Sequence, residues 1–210
     1  LTKGQYSPTS PRGFVSKSSP YGTVEDPFRP AELCFGARGH FFARAVATDA
    51  PGTVEILKAA YNHKGAAVCE ILQNCVIFNN GTHDAVYSKE GRAENAIYLK
   101  HGEKMVFGKD NEYGIVQEGF GVKAVKLGEE TDGKTYTEAD VLVHDAKCED
   151  NTLQLKLAEM EWPVALGVIR DVKDQTYDDG VRDQIKDVTL KSKIRCVDDL
   201  LHSGSTWTVE

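Results

Sequence analysis

The architecture of the chain can be read from residues 40–72, whose sequence is HFFARAVATDAPGTVEILKAAYNHKGAAVCEIL. Residues 40–47 predict a strand, and the Pro-Gly that follows breaks it and offers Thr53 as the N-cap of a helix. Apolar side chains recur at helical spacing over residues 54–64. Residues 66–72 form a short, nearly continuous apolar run, which is typical of a strand buried on both faces. Together they predict a right-handed, parallel βαβ unit.

Further elements are predicted on both sides of this unit. A helix is expected to begin at Pro30 and to end at Gly36 or Gly39. Other short elements are expected as strands at 104–107, 113–117, 122–127 and 163–170, and as helices at 138–143, 151–161 and 183–190. The chain is therefore predicted to have an α/β fold, with a parallel sheet, flanking helices and a less regular C-terminal extension.

The first thirty residues differ from the rest in composition. They contain five of the seven prolines, at positions 8, 11, 20, 27 and 30. Because proline removes a backbone donor and fixes φ, such a stretch is neither a helix nor a central strand. It predicts an ordered loop or lid, with a flexible tail as the alternative.

The charge balance excludes some classes of partner. Twenty-five basic and 32 acidic side chains give a net charge of −7. This acidic balance argues against binding to nucleic acid or to an anionic membrane surface, since both require clustered Lys and Arg. No apolar run approaches the length that spans a bilayer. The chain begins at Leu1 rather than Met, which predicts a processed or truncated chain.

The five cysteines are scattered and include no CxxC pair. An odd number without regular spacing does not favour a disulfide framework, so a reducing, cytoplasmic setting is expected. Cys34 and Cys69 lie within a predicted helix and a predicted strand, and both are expected to be buried structural thiols.

Cys75 is singled out by its position. In open α/β sheets ligands bind beyond the carboxyl ends of strands, and Cys75 follows the second predicted strand. The residues alone leave two interpretations open, a ligand site near Cys75 or a buried structural thiol. His83, beside Asp84, is predicted to be a turn residue rather than a catalytic one. Lys3 is expected to be solvated, with anion binding as the alternative.

Several long segments carry a resemblance to a known family. They are LTKGQYSPTSPRG (1–13), SPYGTVEDPF (19–28), EILQNCVIFNNGTH (70–83), ENAIYLKHGEKMVFGKDN (94–111), PVALGVIRDV (163–172) and SGSTWTVE (203–210). In these segments the chain resembles the β subunit of 2-oxoacid:ferredoxin oxidoreductases, and most closely the 2-oxoglutarate type. The resemblance covers essentially the whole chain.

The resemblance implies a thiamine diphosphate-binding fold, of which this chain is the C-terminal portion. Residues 1–81 would be the C-terminal part of the cofactor-binding domain, with a Pro/Gly-rich loop at 1–30 and a helix and βαβ unit at 31–75. Residues 82–210 would be a C-terminal extension that contributes to a subunit interface.

The family's β subunit carries thiamine diphosphate, Mg²⁺ and one 4Fe–4S cluster. Together with an α subunit, it decarboxylates the 2-oxoacid, passes electrons singly through the cluster to ferredoxin and transfers the acyl group to coenzyme A. The resemblance favours 2-oxoglutarate as substrate and leaves pyruvate and branched 2-oxoacids open. A non-catalytic assembly or binding module that keeps the fold is the alternative from another class.

Site residues follow from the resemblance, position by position. Cys75 matches the isolated fourth cluster ligand in the family pattern E-[IV]-L-x-x-C, although the family usually has proline where this chain has Asn74. Leu1 is expected against the thiazolium side of the cofactor and Thr2 near its diphosphate. Gln5 is a weaker cofactor contact.

Lys3 is expected to bind an anion, either the substrate carboxylate or a phosphate of coenzyme A. The family's other three cluster ligands and its magnesium ligands would precede Leu1. The chain by itself is therefore expected to bind thiamine diphosphate weakly, to assemble no cluster and to be inactive.

Overall fold

The structure is a computed structural model that describes residues 6–209. In chain order, the elements of this part are α1 (Pro30–Gly36), β1 (Phe41–Val46), α2 (Ala50–Asn62), β2 (Ala67–Leu72), α3 (Asp84–Tyr87), α4 (Lys89–Asn95), β3 (Ala96–Leu99), β4 (Val106–Phe107), β5 (Tyr113–Glu118), β6 (Gly121–Lys126), β7 (Glu130–Thr131), β8 (Lys134–Thr135), a 3-10 helix (Glu138–Asp140), α5 (Thr152–Glu159), β9 (Val164–Asp171), α6 (Tyr177–Lys191) and α7 (Val197–Leu201).

The largest sheet among these residues has four strands in the order β2-β1-β9-β3. Strands β1 and β2 are parallel and in register, with α2 between them in sequence, so the predicted βαβ unit is confirmed. Strands β3 and β9 also pair in parallel, whereas β9 runs antiparallel to β1. The α/β fold with flanking helices is confirmed, but the sheet is mixed rather than wholly parallel.

Strand β1 lies between two layers of side chains because successive residues of a strand point to opposite faces. Phe42 packs into the core cluster that contains Leu157 of α5. Phe41 belongs to a second cluster, which contains Ile56 of α2. All six residues of β1 are buried, as expected for a central strand covered on both faces.

Strand β2 departs from the prediction that it is buried on both faces. It lies at an edge of the sheet, and its side chains Val68 and Ile71 are 39% and 41% exposed. Cys69 is accordingly half-buried, not fully buried, whereas Cys34 is buried as predicted. The apolar run shows that residues 67–72 form a strand, but which neighbours cover that strand depends on the order of the sheet.

The start of α2 also differs from the prediction. The N-cap is Asp49, whose carboxylate accepts a hydrogen bond from the backbone N–H of Gly52 at 3.3 Å. Thr53 lies inside the helix, where its hydroxyl donates to the carbonyl of Val46 at 3.3 Å. Proline is tolerated in the first turn, so Pro51 does not delay the helix.

Beyond residue 81, the described chain contains several elements that the sequence did not predict, namely α3, α4, β3, the β7–β8 hairpin and α7. The predicted helix at 138–143 is only a single 3-10 turn, and the one at 183–190 extends over Tyr177–Lys191. Strands β3 and β9 follow residue 81, yet both join the central sheet. The division of the chain at residues 81 and 82 stays a prediction.

Residues 6–29 form a loop whose backbone is joined by internal hydrogen bonds. The backbone N–H of Gly13 donates to Thr23 O at 2.8 Å, and that of Phe28 donates to Pro8 O at 2.7 Å. These bonds tie distant parts of the loop together without a helix or a sheet.

The chain divides into two compact units, and the boundary between them in the sequence falls after Lys173. The second unit contains α6 and α7, and none of the described residues of these two helices is buried. None of the helices among residues 6–209 is both long enough and apolar enough to cross a membrane.

Gly167 is required where β3 and β9 approach each other. Its φ is +95°, and a Cβ atom there would lie 2.6 Å from the carbonyl oxygen of Leu99. Gly167→Ala is expected to lower the free energy of unfolding by more than about 2 kcal/mol, because backbone strain and a steric clash add. Gly128→Ala is the matched control, since Gly128 has φ +79° but open space around it. It should cost about 1 kcal/mol. Equal losses in denaturant unfolding of the two variants would refute the role of the close approach.

Candidate functional site

Cys75 lies in the loop that follows the carboxyl end of β2. Residues 75–79 form a tight turn, in which the backbone N–H of Asn79 donates to the carbonyl of Cys75 at 2.9 Å. The Cys75 side chain is exposed, in contrast to the buried Cys34. The structure therefore places Cys75 where α/β folds bind ligands and does not support a buried structural thiol.

The side chain of Asn74 closes this loop. Its amide nitrogen donates to Asn80 Oδ1 at 2.8 Å, and its Oδ1 accepts from the backbone N–H of Gly81 at 2.9 Å. One carboxamide thus joins the residue before Cys75 to the two residues after the turn. Nothing in the sequence pattern indicates this closure, since asparagine is common in loops of every kind.

The pKa of the Cys75 thiol lies below its usual value. The largest cause is a hydrogen bond from the backbone N–H of Phe78, and the amides of Ile77 and Asn79 act in the same direction. Partial desolvation opposes them. Amide dipoles directed at the sulfur favour the thiolate, which is the form of cysteine that binds metals.

Two cavities flank Cys75. One has a volume of about 690 Å³ and the other of about 210 Å³, and Ser7, Ser10 and Asn79 line both of them. The Pro-rich loop is therefore next to Cys75 in space although it is more than forty residues away in sequence. Its predicted role as a loop or lid over a site is compatible with this position.

The larger cavity also contains an ion pair that the sequence analysis missed. Arg44 Nε lies 2.6 Å from Glu70 Oε2, and the two side chains are only 10% and 18% exposed. Both Nη atoms of Arg44 donate to the carbonyl of Ala158 at 3.1 Å. Arg44 and Glu70 are register partners on β1 and β2. The register of the βαβ unit is the signal that could have found them.

His83 lies in the same cavity as Cys75, immediately before α3, in agreement with the predicted turn position. Burial lowers the pKa of its imidazole; nearby Arg44 also lowers it, and Glu70 raises it. The lowered pKa favours the neutral imidazole, which is the form that accepts a hydrogen bond or a proton.

The residues around Cys75 fit one ligand of an iron–sulfur cluster. The thiol is exposed, faces a cavity and is surrounded by backbone amides. Within residues 6–209, no group of three or more His, Cys, Asp or Glu side chains is arranged to hold a metal ion. This part of the chain thus offers one thiolate, and further ligands would have to come from elsewhere. Leu1, Thr2, Lys3 and Gln5 lie outside the described residues.

A separate cavity of about 500 Å³ lies beside α2 and is lined by Tyr98. The Tyr98 hydroxyl donates to Asp49 Oδ2 at 2.8 Å, and burial together with this carboxylate raises the pKa of Tyr98 to about 12. A raised pKa in the folded state contributes stability that is present below about pH 10 and is lost as the pH rises to about 12. An absorbance titration should therefore show a tyrosine that ionises near pH 12 and is absent from Tyr98→Phe. An unchanged titration would contradict the assignment.

The comparisons with known proteins agree with this fold. No family model matches the chain. The chain is 40% identical over its whole length to the 2-oxoglutarate oxidoreductase subunit KorB of Mycobacterium tuberculosis, of which it spans 56%. It is 46% identical over 80 residues to subunit beta of 2-oxoacid:ferredoxin oxidoreductase 1 of Aeropyrum pernix, which is 38% of this chain and 25% of the relative.

A solved structure supports the fold. The chain matches a 2-oxoglutarate:ferredoxin oxidoreductase from Magnetococcus marinus with a TM-score of 0.55, over 98% of this chain and 54% of the other. That structure has 2-oxoglutarate, coenzyme A and succinyl-CoA bound. At 16% identity, this likeness concerns the architecture alone.

The fold and the site define a class, an α/β protein with an exposed thiol beyond the carboxyl end of a strand. The 40% identity to KorB, in an alignment that covers the whole chain, makes the comparison more specific. The chain is thus similar from end to end to a β subunit of the 2-oxoacid:ferredoxin oxidoreductases. It spans about half the length of the curated relative that it matches from end to end.

Proposed function

We propose that this chain is a portion of the β subunit of an enzyme that oxidatively decarboxylates 2-oxoglutarate. The products would be succinyl-CoA and CO2, and two electrons would pass singly to ferredoxin. The observation that carries the proposal is the 40% identity, over the whole chain, to a subunit named for 2-oxoglutarate oxidation. The partners would be an α subunit, ferredoxin, the 2-oxoacid and coenzyme A, and the five free cysteines are compatible with a cytoplasmic setting.

Cys75 is proposed to contribute one thiolate to a 4Fe–4S cluster, which when bound accepts and releases one electron at a time. The amides of residues 77–79 that interact with its sulfur would stabilise negative charge there. Residues 6–29 line the cavities beside Cys75 and would restrict the access of water.

Thiamine diphosphate and Mg²⁺ are proposed as the other cofactors, and thiamine diphosphate would supply the decarboxylation chemistry. Leu1, Thr2 and Gln5 would contact thiamine diphosphate. Lys3 would bind the carboxylate of the substrate or a phosphate of coenzyme A, because a Lys ammonium suits either anion.

The C-terminal part of the chain is proposed to contribute to the contact with another subunit. In the unit after Lys173, Ile185 and Val188 of α6 are 60% and 63% exposed, and Leu201 of α7 is 68% exposed. Apolar side chains in such numbers favour a surface that a partner covers.

The test is an assay of the full-length β subunit in complex with its α subunit. With coenzyme A and ferredoxin present, 2-oxoglutarate should give succinyl-CoA and reduced ferredoxin, with kcat/KM at least about tenfold above that for pyruvate or a branched 2-oxoacid. Preference for another 2-oxoacid would correct the substrate. Iron and cofactor content that match the family, but no turnover of any 2-oxoacid, would contradict the enzymatic proposal. Absence of both would favour a non-catalytic assembly module.

A further inference from the structure

We infer that Asn74 is a positioning residue for the proposed cluster, and that its side chain holds the 75–79 turn in the shape that directs backbone amides at the Cys75 sulfur. The inference rests on the proposed function for the identity of the cluster. The side chain of Asn74 bonds to Asn80 and Gly81 rather than to the Cys75 sulfur.

The geometry supports a brace rather than an incidental contact. The Asn74 carboxamide uses both of its ends, at 2.8 Å to Asn80 Oδ1 and at 2.9 Å to the N–H of Gly81. The turn between these anchor points is closed by a third bond, from Asn79 N–H to Cys75 O at 2.9 Å. Three hydrogen bonds thus cross the base of one short loop, and each restricts the same backbone.

The hydrogen bond from Gly81 to Asn74 forms at a position where the backbone conformation favours glycine. Gly81 has φ +87°, a left-handed conformation that glycine adopts at little cost. Asn74 Oδ1 accepts from the N–H of this residue, so the bond fixes the orientation of the chain as it leaves the turn. Without the Asn74 side chain, the Asn79–Cys75 backbone bond would be the one that remains of these three.

The shape of the turn matters for electron transfer because amides that point at a cluster sulfur raise the reduction potential. The reduced cluster carries one more negative charge than the oxidised one, so N–H dipoles stabilise it more. A turn that relaxes would direct its amides to water instead. The reduction equilibrium would then shift toward the oxidised cluster.

The brace also explains how this chain functions without the proline that the family usually has at position 74. Proline restricts the backbone before the cysteine by fixing φ. Asparagine leaves φ free, and its two side-chain hydrogen bonds supply the restraint instead. Asn74→Pro is therefore expected to restore what Asn74→Ala removes.

The experiment is an EPR-monitored redox titration of the full-length αβ complex, with iron content measured on the same samples. Asn74→Ala should shift the reduction equilibrium toward the oxidised cluster by up to about tenfold, which is 59 mV for one electron. Asn80→Ala, which removes only one of the two bonds, should shift it less and in the same direction. Asn62→Ala is the matched control, because Asn62 is exposed at the end of α2, away from the loop.

Each outcome decides the inference. A lowered potential in Asn74→Ala with recovery in Asn74→Pro supports it, and so does a cluster that is lost in the first variant and regained in the second. Potentials of Asn74→Ala and Asn80→Ala equal to that of Asn62→Ala overturn it, while a wild-type complex that keeps its cluster and turns over 2-oxoglutarate leaves the proposed function intact. A wild-type complex without iron overturns both.

Discussion

Replacement of Cys75 by alanine is expected to remove the cluster from the holoenzyme and, with it, the reduction of ferredoxin. The rate of ferredoxin reduction should fall by more than about 100-fold, because changing even a partner of a metal ligand costs about 10- to 100-fold in affinity. Cys34 and Cys69 lie within α1 and β2, and among the described residues no group of three or more His, Cys, Asp or Glu side chains offers a replacement site.

The matched control is Cys148→Ala. Cys148 is also exposed, but its side chain has no part in the cavities beside Cys75. This variant should keep its iron and its activity. The measurement is iron content and the EPR spectrum of the reduced complex, followed by the rate of ferredoxin reduction. Full iron content and wild-type activity in Cys75→Ala would exclude Cys75 as a ligand.

Replacement of Arg44 by methionine is expected to cost about 3 kcal/mol in the free energy of unfolding. Removing one partner of a buried ion pair costs about 3–5 kcal/mol, because the other charge stays buried without compensation. Glu70 would lose its partner at 2.6 Å, and the carbonyl of Ala158 would lose both of its guanidinium donors. The lower end of the range applies because the Glu70 side chain keeps 18% exposure.

Arg12→Met is the control for Arg44→Met. Arg12 pairs with Asp26 at 2.9 Å, but these side chains are 62% and 80% exposed, so the loss should be below about 1 kcal/mol. In the double variant with Glu70→Met, part of the loss should be recovered, because no unpaired charge remains. Equal unfolding free energies for Arg44→Met and Arg12→Met, measured in denaturant, would show that the buried pair has no special weight.

Cys75 and Arg44 line the same cavity, but the sequence analysis identified only Cys75. The position of Cys75 after a predicted strand was enough to select it from five cysteines, and the structure places its thiol at an exposed turn. The pair of Arg44 with Glu70 was not predicted, since a charged residue within an apolar strand does not identify its partner. Only the register of β1 against β2 shows that the two face each other.

Local pattern was sufficient for the βαβ unit, for the loop over residues 6–29 and for the resemblance to a known family. These features depend on residues that are close in the chain, where apolar period, proline and motif spacing act directly. The errors in these predictions are also local. The N-cap of α2 is Asp49 rather than Thr53, because several residues near Pro51 are able to cap a helix.

Tertiary packing decided the rest. It inserted β9 antiparallel beside β1, left β2 at an edge, brought residues 6–29 against Cys75 and closed the loop through Asn74. Each of these results depends on which segments compete for the same neighbour and on how their side chains fill the space between them. Such competition involves residues that are far apart in the chain, so no local period of the sequence contains it.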